Sequence, residues 1–262
     1  MNNKTISKKI RKLRLEFLKL LLEGYKFHIG GTLSCLDLMT VLFYNNYINL
    51  NKKNRDYFIL SKGHALANFL LILIDKKLIS KKNIKNLYTK NKLGNQLDCF
   101  NLKFVDWNTG SLGHSVGVST GLSLANPNKK IWNIIGDAEF DEGSIWEALF
   151  YISEKKIKNI ILIVDRNKMS ASSFIDFKEF FDKKIINKLN INKYVINGHN
   201  IGQINSIFKM AKNSKKSSVI IANTVKGNGI KEFENSLSFS HGMPEKKMLE
   251  MVYYKYKKIY NE

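Results

Sequence analysis

Apolar residues at Ile6, Ile10, Leu13, Phe17 and Leu20 to Leu22 fall on one face of a helix, and the pattern stops at Gly24. A second helix is predicted over 36–44. The pattern then shortens. "DYFIL" (56–60) is a strand-length apolar run, followed by the polar turn "SKGH" and an apolar helix over 65–76. The same order returns in the middle of the chain. "GSLGHSVGVSTGLSLA" reads as a Gly-rich loop opening a helix of small residues, and "KIWNII" is a buried strand ended by Gly136 and Asp137. A helix over 142–154 and the strand "NIILIVD" complete a βαβ unit across 131–165 with a parallel pair. "YVI" and "SVIIAN" supply two more strands around a helix near 204–212.

No Pro-rich hinge, low-complexity linker or internal repeat divides the chain, and Pro127 and Pro244 are its only prolines. The expectation is a single domain over 1–262 of the α/β class, a doubly wound, mostly parallel sheet with helices on both faces. Such sheets bind ligands beyond the carboxyl ends of their strands.

Composition narrows the partners. The chain has 262 residues, enough for a self-sufficient core, and only Cys35 and Cys99, in no metal-ligand spacing, so a reduced, cytoplasmic setting fits. The strongly apolar stretch Ala67 to Ile74 is far short of the ~20 residues that span a bilayer, so no membrane partner is expected. The basic N-terminus carries Glu16 and Glu23 and no small-residue cleavage site, which makes it the first helix rather than a targeting peptide. A net charge of +21 suggests a nucleic-acid binder, but of 43 basic residues only Arg11, Arg14, Arg55 and Arg166 are arginine. Base readout and phosphate forks lean on arginine geometry, so no nucleic-acid partner is expected, only a general attraction for anionic ligands.

The candidate chemistry sits at strand ends. Asp137 and Asn167 follow strands joined by one crossover, which should bring them together. A carboxylate and an amide oxygen are hard ligands suited to Mg²⁺ or Ca²⁺ sharing its shell with phosphate oxygens. The alternative is that Asp137 caps the next helix and Asn167 shapes a turn. Of the five histidines, His28, His64, His114 and His241 fall in small or Gly-rich turns, and His199 lies in "NGHN". Loops at strand ends are where a scaffold places groups that hold hydroxyls and move protons.

Eight pieces, in order, carry a family resemblance: "HIGGTLSCLDLMTVLF", "DYFILSKGHA", "VDWNTGSLGHSVGVSTGLSLA", "IIGDAEFDEGSIWEALF", "NIILIVDRN", "NGHN", "IIANTVKGNG" and "SHGMP". Together they resemble the N-terminal, diphosphate-binding section of transketolases, of the kind encoded as a separate short subunit. The resemblance implies thiamine diphosphate and Mg²⁺ as cofactors, with Asp137, the Asn167 side chain and the Met169 carbonyl as metal ligands. It places His64 by the diphosphate with Gly136, Ala138 and Lys226, and Gly110, Ser111, Leu112, Gly113 and His114 along the cofactor rings. His28 and His241 match histidines facing the reacting carbon and substrate oxygens. Glu142 and Glu147 match acidic residues of the family's dimer interface, and Glu142 joins His28 and His241 as a candidate catalytic group. Glu147 lies inside a predicted helix, where a solvated charge is the plainer reading.

The implied reaction transfers a two-carbon ketol unit from a ketose donor to an aldose acceptor, with sugars or sugar phosphates as substrates. Three departures qualify it. Ala138 stands where the family has Gly, a residue that serves φ > 0 or close approach to phosphate. "LGNQLD" puts Gln96 or Asn95 where a substrate-facing histidine is expected, which points to a different sugar, an unusual or nucleotide-linked one. The chain ends at Glu262, soon after "SHGMP". The pyrimidine-binding section is therefore expected on a C-terminal-type partner subunit, in an α2β2 assembly, with this chain inactive alone. A non-catalytic partner that kept the fold is the remaining alternative.

Overall fold

The computed structural model describes residues 1–82, 84–85, 102, 104–170, 173–174 and 185–261. Its centre is one sheet of five strands, β1 (Tyr57–Leu60), β2 (Ile131–Gly136), β3 (Ile160–Arg166), β4 (Asn192–Asn197) and β5 (Ser218–Asn223), in the spatial order β1-β2-β3-β5-β4. Every neighbouring pair is parallel. Parallel strands need crossovers, and the crossovers cover both faces.

Alternation along the strands separates two cores. Trp132, Ile134, Ile161, Ile163, Ile220 and Ala222 point to one face, against helices α1 (Asn3–Leu22), α2 (Ile29–Tyr44) and α3 (Leu66–Asp75). Ile131, Ile135, Leu162, Val164, Val219 and Ile221 point to the other, against α4 (His114–Ala125), the single turn α5 (Asp137–Phe140) and α6 (Gly143–Glu154). Two further helices, α7 (Ile201–Asn213) and α9 (Lys246–Asn261), join the first face, and a single turn, α8 (Ser238–His241), precedes the latter. Trp132 is fully buried there against Tyr47 and Phe208, with ring centroids 5.7 and 5.4 Å away. The doubly wound sheet expected from the sequence is the one observed.

The helix over 36–44 begins seven residues earlier, at Ile29. Gly30 and Gly31 read as a break by propensity, yet the helix is buried along its whole length, and burial outweighs a cost of about 1 kcal/mol per glycine. The glycines also admit neighbours. A Cβ on Gly31 would lie 2.5 Å from the His64 ring, and one on Gly30 would lie 2.8 Å from Lys226 Cγ. Helix α9 has no counterpart among the expected elements, because its lysines mask a stripe of Leu249, Val252 and Tyr256 that is buried in the first core.

Candidate functional site

Beyond the carboxyl ends of β1, β2, β3 and β5 lies a cavity of about 200 Å³. It is walled by His28 and Gly31 of α2's entry, Lys62 and His64 after β1, Gly136 at the end of β2 with Asp137 to Glu139 after it, Asn167, Met169 and Ser170 after β3, and Lys226 after β5, with Leu112 across the mouth. The topology thus gathers residues far apart in sequence, as this class of sheet does.

Asp137 is 1% exposed. Gly136, not Asp137, is the N-cap of α5. The Asp137 carboxylate accepts a hydrogen bond from the N–H of Ala138 (2.9 Å) and one from the N–H of Lys168 (2.5 Å), and so ties the end of β2 to the loop after β3. Lys168 adopts φ 62, a left-handed turn that sets Asn167 and Met169 on the cavity wall. The Asn167 Oδ1 accepts the N–H of Met169 at 3.2 Å. Burial, then the charge of Asp165, pushes the Asp137 carboxyl up to about 6. A carboxylate held in that state, open to a cavity, is stabilised by a cation arriving beside it. Among the described residues no group of three or more His, Cys, Asp or Glu could hold a metal. Asp137 with amide and carbonyl oxygens therefore suits a hard cation whose remaining ligands come from a bound anion.

Beneath it is a closed polar floor that the sequence pattern does not reveal. Lys62 is 3% exposed and forms an ion pair with Asp165, which is 0% exposed. Ser34 donates to the same carboxylate at 2.6 Å, and Thr224 donates to its other oxygen. Burial opposes both charges, but the pairing prevails: Lys62 is held above the ordinary lysine value and Asp165 below the ordinary carboxyl value. Glu139 braces two walls, accepting from the Ser61 hydroxyl and from the Gly113 N–H at 3.1 Å, while its Oε2 is buried with no hydrogen-bond partner. Asp165 is visible in the sequence as a charge closing an apolar strand; Lys62 and Glu139 give no signal of burial there. Lys226 reaches in from the β5 loop, its Nζ donating to the Ser170 carbonyl at 2.7 Å. Burial, then the charge of Lys62, lowers its pKa to about 8.

The other expected site residues distribute unevenly. His28 and His64 both face the cavity, their rings edge to face at 5.7 Å. Ala138 lines the wall with an ordinary negative φ, so its backbone needs no glycine. Gly113, at φ 83, is the N-cap of α4, and a Cβ there would meet Ser144 Oγ at 2.4 Å. Gly110 and Ser111 are exposed on the rim. His114 and Glu147 instead line a separate groove between α4 and α6, with Trp107 and Tyr151. Glu142 is exposed at the start of α6 and does not line the cavity. His241 ends α8; its side chain and Gln96 lie outside the described residues. Cys35 is buried, and burial pushes its thiol up to about 12, which removes it as a nucleophile.

The fold and site define a class: a doubly wound sheet that gathers a buried carboxylate and two lysines around a cavity at its carboxyl edge. The chain belongs to the transketolase family, its residues 2–255 matching the model of the transketolase, thiamine diphosphate binding domain. A subunit of 6-deoxy-6-sulfo-D-fructose transketolase from Clostridium sp. is 33% identical, the match covering 89% of this chain and 88% of that one. A subunit of apulose-4-phosphate transketolase from Phocaeicola vulgatus is 27% identical over 93% of this chain and 91% of its own. Human transketolase is 28% identical, but the chain spans only 40% of its length. The crystal structure of transketolase from Campylobacter jejuni superposes with a TM-score of 0.83 at 28% identity, covering all of this chain and 43% of that one.

Proposed function

We propose that this chain is the diphosphate-binding subunit of a two-component transketolase, which carries a two-carbon ketol unit from a ketose to an aldose. The observation that carries the reading is the convergence of Asp137, Asn167 and Met169 with His64 and Lys226 around one cavity. Thiamine diphosphate supplies the electron sink for cleaving the ketose. Asp137, the Asn167 amide oxygen and the Met169 carbonyl hold Mg²⁺ (or Ca²⁺) against its diphosphate. Lys226 and His64 offset the anionic charge, and Leu112 supports a cofactor ring at the mouth. His28 borders the open side, where it can hold a substrate hydroxyl and move its proton. His241 and Gln96 are assigned the same side by resemblance alone.

A C-terminal-type subunit supplies the pyrimidine half, in an α2β2 complex in the cytoplasm. Supporting this, the two relatives named as subunits are matched along nearly their whole length, and apolar side chains are exposed at the cavity mouth and in the groove next to it, Leu112 at 47% and Trp107 at 43%. The names of those relatives favour an unusual phosphorylated or sulfonated sugar as substrate. Coexpression with a C-terminal-type transketolase subunit, followed by a ketose–aldose screen, tests the reading. Ketol transfer by the pair and none by either chain alone is the expected result; full activity from the lone chain overturns it.

A further inference from the structure

His199 sits in a loop like the site histidines, yet the structure gives it different work. It follows β4 and is bonded on both ring nitrogens. Its Nε2 accepts the backbone N–H of Val225 at 2.8 Å, so that nitrogen carries no proton, and its Nδ1 donates to Asp37 at 2.9 Å. Asp37, on α2, is itself fixed: Arg14 of α1 donates to Oδ1 at 2.8 Å and Asn228 to Oδ2 at 3.1 Å. Arg14 and Asp37 are both buried.

Val225 immediately precedes Lys226. The loop they share turns at Gly227, with φ 83, where a Cβ would lie 2.1 Å from the Phe233 carbonyl oxygen. The Gly227 N–H donates to the Gly30 carbonyl at 3.1 Å, so the loop rests on the first turn of α2. From there the Lys226 stem passes Gly30 and places Nζ on the cavity wall. The Arg14–Asp37–His199 chain therefore fixes the backbone that aims Lys226, while His199 itself lines a different groove beside Arg166 and Lys168.

We infer that His199 is a positioning residue: its doubly bonded imidazole clamps the Val225 amide and thereby holds Lys226 against the cofactor's diphosphate. This rests on the proposed function for the identity of the anion, but the clamp itself does not depend on it. The fixed tautomer matters because a protonated ring or an alanine has no acceptor for the Val225 N–H; the backbone just ahead of Lys226 then loses its side-chain anchor, while Thr224 stays bonded to Arg166, the Lys226 carbonyl to Asn235 and Gly227 to Gly30.

The test is a double-mutant cycle on the complex with its partner subunit, read by calorimetry with thiamine diphosphate and Mg²⁺. His199→Ala is expected to weaken binding about five- to tenfold, the effect of one hydrogen bond between neutral groups. In a Lys226→Met background the same substitution should cost less than about twofold, because the side chain it positions is gone. His199→Gln, which keeps an acceptor and a donor, should restore affinity. An equal loss in both backgrounds, or no loss in either, overturns the inference. A readout without ligand separates this from failure of the cofactor assignment: pulse labelling of lysine amines, resolved by mass spectrometry, should show faster modification of Lys226 in His199→Ala and not in His199→Gln. Unchanged Lys226 labelling contradicts the clamp whatever the protein binds. Should the alanine variant fail to fold, His199→Asn, too short to reach Val225, takes its place in both measurements.

Discussion

The floor and the rim of the cavity are built on opposite principles. On the floor the central charges are partnered by the chain itself: Lys62 is paired with Asp165, and Ser34 and Thr224 complete the carboxylate's hydrogen bonds. On the rim, Leu112 leaves apolar surface open, and the neighbouring groove between α4 and α6 is lined by exposed Trp107 and Tyr151 with His114 and Glu147. A sealed floor fixes where an anion and its cation sit; an open rim is completed by something else. On the proposed reading, the floor is this chain's half of the site and the rim is where a partner subunit would complete it.

The largest effect separates function from folding. Asp137→Ala should weaken Mg²⁺-dependent binding of thiamine diphosphate by on the order of 100-fold or more, measured by calorimetry on the assembled complex, since it removes the one carboxylate of the metal set. Next is the floor. Lys62→Met leaves Asp165 charged and unpaired in the interior, an expected loss of about 3–5 kcal/mol in urea unfolding. Adding Asp165→Asn removes that charge while keeping an acceptor for Ser34 and Thr224, and should recover part of the loss. Gly31→Ala drives a methyl into the His64 ring and should cost about 1–3 kcal/mol together with weakened cofactor affinity.

Acidity gives a graded test. With the metal-free Asp137 carboxyl at about 6, protons compete with Mg²⁺ below that pH, and affinity should fall about tenfold per pH unit there, with a slope absent from Asp137→Asn. The folded chain holds this proton more tightly than an unfolded one, whose value is near 3.8, so this group's contribution to metal-free stability declines as pH rises from about 4 to about 6. The smallest effect belongs to the rim. Leu112→Ala should change the lone chain's stability by no more than about 0.5 kcal/mol, yet weaken association with the partner subunit by several-fold in sedimentation. A large loss of stability there would erase the distinction between floor and rim.

Much of the molecule is legible in its sequence because it follows from periodicity and order. Continuous apolar runs such as "NIILIVD" belong to strands buried on both faces, and their parallel arrangement places Asp137 and Asn167 side by side before any contact is known. Helix α2 reads short from sequence because local propensity cannot register that Gly30 and Gly31 are there to admit Lys226 and His64. The floor is illegible for a related reason: Lys62 and Glu139 look like ordinary surface charges until the fold buries them. Histidine count misleads twice among the described residues: His114 lines the groove between α4 and α6, and His199 is held away from the cavity by its bonds to Asp37 and Val225. Ala138, which looks like a defect in the motif, sits at an ordinary backbone angle and leaves the cavity open.

The most direct test of the account is calorimetric titration of thiamine diphosphate into the complex of this chain with its C-terminal-type subunit, with and without Mg²⁺, in wild type and Asp137→Ala. Saturable binding that requires Mg²⁺ and is lost in the variant is the predicted result. Binding that persists without metal, or survives the loss of Asp137, would contradict it.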